Sequence, residues 1–129
     1  MTTKTKEPIR VLIADDNRDA VMVLSILLRS EGYDVRLAQG GKEAIAQAAE
    51  FHPHVALLDL EMPDCSGFSV AQELARASNG QPPVLVAVTA CTEAEAREMA
   101  QVSGFQHFVS KPYNHQAMLK LLASLPRRP

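Results

Sequence analysis

The chain has 129 residues, 47% hydrophobic and 22% charged, with a formal net charge of −2, which is the size and composition of one globular domain with a sizeable core. The mild acidity excludes a general affinity for nucleic acid or an anionic membrane surface, and no apolar run approaches the about 20 residues of a membrane span. Two cysteines, Cys65 and Cys91, are too few for a disulfide framework and fit a reducing, cytoplasmic setting.

Residues 1–8 are polar, lack the apolar core of a signal peptide, and read as a flexible N-terminus. Ile9 to Ala14 is an apolar, β-branched run, a first buried strand that ends in Asp15 and Asp16. Asn17 or Asp16 can cap the helix that follows. That helix carries Val21, Leu24 and Leu28 on one stripe with Ala20, Val23 and Leu27 beside it, a wide buried face, and Gly32 stops it. Asp34 to Ala38 is a short second strand, and Gly40–Gly41 make the turn. Lys42 to Glu50 is a small helix with Ala44, Ile45, Ala48 and Ala49 facing in, broken by Pro53. His52 and His54, which flank that proline, read as surface turn residues, since two histidines alone make a poor metal site.

Val55 to Leu58 is the central apolar run. Bounded by turn signals, it suits a strand buried on both faces, and it delivers Asp59 at its end. Pro63, Asp64, Ser66 and Gly67 mark the turn after it. Phe68, Ala71, Leu74 and Ala75 mark a third helix, and Asn79 to Pro83 a loop. Val84 to Val88 is a fourth strand ending in Thr89. Thr92 and Glu95 have capping-box spacing for a fourth helix over Thr92 to Val102, whose apolar stripe is weak. His107 to Ser110 is a short fifth strand closed by Lys111 and Pro112. A last helix, Asn114 to Leu125, buries Met118, Leu121, Leu122 and Leu125. Residues 9–125 thus form one domain, and 126–129 a short tail.

Strand and helix alternate five times, which implies a parallel sheet with helices on both faces. The right-handed crossover makes it an α/β three-layer sandwich. Five strands and five helices suit the flavodoxin-like order 2-1-3-4-5, with a crevice at the carboxyl ends of the first and third strands. That topology gathers Asp15 and Asp16, Asp59, Thr89 and Lys111 at one crevice. Alone, Asp59 is as readily a helix cap as a reactive group, but each of these residues is the first polar one after an apolar run. Three neighbouring carboxylates repel one another and call for a cation. Their hard oxygens suit magnesium.

At these residues the sequence resembles the receiver domain of two-component response regulators, the family of the chemotaxis protein CheY. The resemblance runs from about Ile9 to Leu125. It is carried by Asp15–Asp16, the run DLEMPDCSG from Asp59, Thr89–Ala90 and Lys111–Pro112; each is weak alone, and the ordered set is strong. It implies that Asp59 is the phosphoacceptor. It further implies that Asp16, Asp59 and the backbone carbonyl of Glu61 bind magnesium directly, with Asp15 acting largely through water. Thr89 and Lys111 would contact the phosphoryl group, the Lys111–Pro112 peptide would be cis, and Phe108 would be the switch aromatic paired with Thr89. Glu61 and Cys91 would flank the path of attacking water and tune the phosphate lifetime. Glu61 would orient water or repel hydroxide, and Cys91 reads more readily as a small apolar filler than as a redox thiol.

The chemistry agrees with these roles. A carboxylate nucleophile forms an aspartyl phosphate, and phosphoryl transfer asks mainly for positioning and charge neutralisation. The implied donor is a histidine kinase or a histidine phosphotransfer protein. The implied output is a protein contact through the fourth helix, fifth strand and fifth helix, because Arg127–Arg128 is too small a basic patch to hold a duplex. The protein is then a signalling switch rather than an enzyme acting on other substrates. A nucleotide-binding fold of this topology would want a glycine-rich loop after the first strand, where Asp15–Asp16–Asn17 stands. A dehalogenase-type phosphatase would want D-x-D there. A receiver that binds partners without phosphorylation would be expected to lose one of the five key positions.

Overall fold

The structure, a computed structural model, describes residues 8–76, 82–90 and 104–125. Its elements are β1 (Arg10–Ala14), α1 (Arg18–Ser30), β2 (Asp34–Ala38), α2 (Gly41–Phe51), β3 (Val55–Asp59), α3 (Gly67–Arg76), β4 (Val84–Thr89), β5 (His107–Ser110) and a C-terminal helix, α4 (His115–Ser124). Cys91 and the helix expected over Thr92 to Val102 lie outside the described residues. The strands form one sheet in the order β2-β1-β3-β4-β5. Each of its pairings is parallel.

The central strands β1, β3 and β4 carry runs of buried apolar residues because both faces of the sheet are covered there. Successive side chains alternate between two cores. Val11, Ile13, Leu57 and Val86 pack with Val21, Leu24 and Leu28 of α1 and Met118 and Leu122 of α4. Their neighbours Leu12, Ala14, Ala56 and Leu58 pack on the other face with Ala44 of α2 and Val70, Ala71 and Leu74 of α3.

Three of the helix starts among the described residues have a local cause. Asn17, rather than Asp16, is the N-cap of α1, and its side chain accepts from the Ala20 amide at 3.2 Å. The Ser66 hydroxyl accepts from the Ser69 amide at 3.2 Å at the start of α3. Asn114 accepts from the amides of Gln116 and Ala117 to start α4. At the other end of α1, Gly32 has φ +95°, the left-handed conformation that lets the chain turn back after a helix.

Two expected inward positions, Val23 and Ala49, do not face in. Val23 on α1 is 48% exposed, with Met22 and Ile26 exposed beside it. Ala49 of α2 is exposed, whereas Leu121 of α4 is half-buried and packs against the core that holds Met118 and Leu122. The sheet is one residue layer deep on each face, so it covers a narrower arc of each helix than the apolar pattern spans. His54 is not a simple surface residue. It is half-buried, and its Nδ1 accepts from the Arg10 amide at 2.9 Å, tying the starts of β1 and β3 together.

Candidate functional site

The parallel register determines what meets at the carboxyl edge of the sheet. Ala14 pairs with Leu58, so Asp15 and Asp59 stand one residue further on, side by side. Asp59 pairs with Val88, and Thr89 pairs with Ser110. Thr89 and Lys111 therefore rise one and two steps beyond the carboxylates. The Lys111 amide donates to the Thr89 carbonyl at 2.8 Å, and the Lys111–Pro112 peptide is cis.

The side chains converge. One carboxylate oxygen from each of Asp15, Asp16 and Asp59 lies within 4.8 Å of the other two. Asp15 and Asp59 are buried and Asp16 is exposed. Lys111 Nζ reaches Asp15 Oδ2 at 2.9 Å and Asp59 Oδ2 at 3.2 Å. The remaining carboxylate oxygens are directed by backbone: Asp15 Oδ1 accepts from the Asn17 amide at 2.9 Å, and Asp59 Oδ1 from the Glu61 amide at 3.0 Å. Thr89 is fully buried.

Burial pushes the Asp59 carboxyl above its ordinary range. The Glu61 amide and Lys111 oppose that rise, and the neighbouring charge of Asp15 adds to it. Burial pulls the Lys111 ammonium down, but its hydrogen bond and attraction to Asp15, followed by those to Asp59, outweigh this and raise its pKa. Three ionised carboxylates against one ammonium leave two negative charges at the mouth of the crevice. That charge and an all-oxygen donor set fit a hard divalent cation such as magnesium, which takes a few carboxylates and keeps its other positions for water.

Two features escaped the sequence reading. Tyr113, directly after Lys111–Pro112, lines a cavity of about 10 Å³ with Ile13, Asp15, Leu57, Asp59 and Met118, room for about one water. Burial, then the charge of Asp15, raises its phenol pKa. Gly67 packs so closely under the site that a Cβ there would lie 2.5 Å from the Asp59 carbonyl oxygen. The adjacency of Tyr113 to the Lys–Pro pair was the available signal for the first; close backbone approach leaves no signal beyond the glycine itself. Of the other expected residues, the Glu61 side chain is exposed. Phe108 is half-buried on β5 against the core that includes Ala87 and Phe105.

Residues 11–123 match the response regulator receiver domain family. The probable transcriptional regulatory protein TcrX of Mycobacterium tuberculosis is 35% identical over 122 residues, covering 95% of this chain and 51% of that protein. The chain spans about half the length of the curated relatives it matches. Among solved structures, the Vibrio cholerae chemotaxis protein CheY4 superposes with a TM-score of 0.86 at 27% identity, covering 92% of this chain and 99% of that one. The receiver domain of the Saccharomyces cerevisiae response regulator Ssk1, co-crystallised with the histidine phosphotransfer signaling protein Ypd1, is also similar. That match has a TM-score of 0.83 at 29% identity and covers 93% and 90% of the two chains. With the sheet order, the acidic crevice and the family match in agreement, this chain belongs to the response regulator receiver domains of two-component signalling.

Proposed function

We propose that Asp59 accepts a phosphoryl group from a phosphohistidine on a histidine kinase or histidine phosphotransfer protein. The observation that carries this reading is the Asp15–Asp16–Asp59 cluster with Lys111 Nζ spanning two of its members. In the transfer, an Asp59 carboxylate oxygen forms a bond to phosphorus as the phosphorus–nitrogen bond to the donor imidazole breaks; the imidazole departs with the electron pair. Asp16, Asp59 and the Glu61 carbonyl are the proposed direct ligands of magnesium, with Asp15 acting through water. When bound, the ion offsets charge on the phosphoryl oxygens. Lys111 supplies a second positive charge there, and the Thr89 hydroxyl a hydrogen bond. No histidine base is needed, because the carboxylate attacks in its ionised form.

The donor would dock beside the crevice. Met22, Val23 and Ile26 form an exposed apolar strip on α1, the helix that starts three residues after Asp15. This surface suits an apolar helical partner. Phosphorylation then biases a two-state arrangement involving Thr89 and Phe108, read by a downstream protein around β5 and α4. The exposed Glu61 side chain would adjust how fast water removes the phosphate. No helix among the described residues is long and apolar enough to cross a membrane, and the cytoplasm is the proposed compartment. The test is direct: incubate the chain with acetyl phosphate and magnesium and weigh it. One labile phosphate is expected on the wild type. No mass gain would leave a partner-binding receiver without phosphorylation, and rapid consumption of the donor would mean a phosphatase.

A further inference from the structure

The helix α2 begins without a cap of its own. Gly40 occupies its N-cap position in extended conformation and has no side chain to offer, although a helix start leaves its first amides without intrahelical partners. Asp64 supplies what is missing, from the loop between β3 and α3. Its Oδ1 accepts from the Gly41 amide at 2.8 Å and its Oδ2 from the Lys42 amide at 3.0 Å. The fit leaves no slack. A Cβ on Gly40 would lie 2.9 Å from Asp64 Oδ1, and one on Gly41 would lie 2.0 Å from Cys65 Sγ. The pair Gly40–Gly41 is therefore shaped to receive the pair Asp64–Cys65. The amides of Lys42 and Gly41 hold the Asp64 carboxyl below the usual range.

The same loop begins with Glu61 beside the crevice. Its beginning is held by the Leu60 amide on the Val88 carbonyl at 3.1 Å and by the Glu61 amide on Asp59 Oδ1, and its end by the Gly67 amide on the Leu60 carbonyl at 3.2 Å. Between these points Asp64 ties the loop to a different element. On the receiver reading of the crevice given above, we propose that Asp64 is a positioning residue for the magnesium site: by capping α2 from the far side it fixes the loop from which Glu61 presents its backbone carbonyl. It touches neither the ion nor the phosphoryl group.

Magnesium affinity of the full chain, measured by calorimetry, tests this with Asp64→Ala, Asp64→Asn and Gly40→Ala. Asp64→Ala should weaken binding about five- to tenfold, at or below the low end for partners that orient metal ligands. Asp64→Asn, which keeps one acceptor oxygen, should fall in between. Gly40→Ala keeps the Asp64 side chain but pushes its carboxylate aside, and should weaken binding by an amount that does not add to that of Asp64→Ala. It also serves as the test if Asp64→Ala does not fold. Unchanged magnesium affinity in folded variants, even with lowered melting temperatures, overturns the positioning role and leaves Asp64 a plain helix cap. Failure of the wild type itself to bind magnesium would instead overturn the receiver chemistry on which the proposal rests.

Discussion

Asp59 is held in a compromise between burial, which favours its neutral form, and Lys111 with the Glu61 amide, which favour its charge. Its raised folded pKa has a definite sign in stability. The folded state holds that proton more tightly than the unfolded chain, so the contribution is present in acid and is lost as pH rises through the folded value. Asp59→Asn removes the ionisation while keeping an oxygen for the Glu61 amide. It should therefore unfold at higher denaturant than the wild type at pH 7, and the gap should narrow as pH falls through the carboxylate range. The same variant should gain no phosphate from acetyl phosphate by mass spectrometry, since an amide is no nucleophile here. A variant that is labelled as the wild type is would remove Asp59 from the role. Asp16→Ala should weaken magnesium binding about tenfold or more and raise stability without the metal, because one member of a like-charged cluster is gone. Titration calorimetry and urea melts read the two effects.

At the scale of the element, the strands were the legible part. Val11–Ala14, Val55–Leu58 and Val84–Val88 are apolar without interruption because both faces are covered. The first polar residue after each is forced to the open edge, which is why Asp15, Asp59 and Thr89 could be placed from the sequence. The helix faces were less legible. Val21 and Val23 of α1 are identical as residues, yet the first is buried and the second 48% exposed; at about 100° per residue they stand about 200° apart around the helix, and only one of them can face the sheet. The cap of α2 was illegible for another reason: 23 positions separate Asp64 from Gly41, and no local pattern joins them. The exposed strip of α1 gives a separable prediction. Val23→Ser with Ile26→Ser should leave stability within about 0.5 kcal/mol, since solvated positions contribute little. It should nonetheless slow phosphotransfer from a phosphohistidine protein about tenfold while leaving labelling by acetyl phosphate unchanged. Equal slowing with both donors would place the defect in the crevice and not in docking.

For the whole molecule, the proposed ion would be linked to the fold. A cation bound only by the assembled crevice stabilises the folded state by about 2.7 kcal/mol at a hundredfold excess over its Kd. Wild-type urea melts should show that increment with magnesium, and Asp16→Ala, with a Kd about tenfold weaker, should lose about half of it at the same magnesium concentration. Beryllofluoride, a phosphoryl mimic, should shift NMR signals from Asp59 outward to Thr89, Phe108 and α4. Shifts confined to the neighbours of Asp59 would mean that the site binds without switching the far face.

The alternation of side chains along the central strands has a consequence for how such a domain can vary. Leu57 and Leu58 are adjacent in the chain, yet one belongs to the core under α1 and α4 and the other to the core under α2 and α3. The sheet acts as a bulkhead between two compartments that share backbone but few side chains. Volume changes on one side should then add to, and not amplify, those on the other. The face that meets a donor can be re-cut while the compartment behind the Asp64 cap stays as it is. A lineage of such domains can thus exchange partners on one flank without retuning the loop geometry on the other.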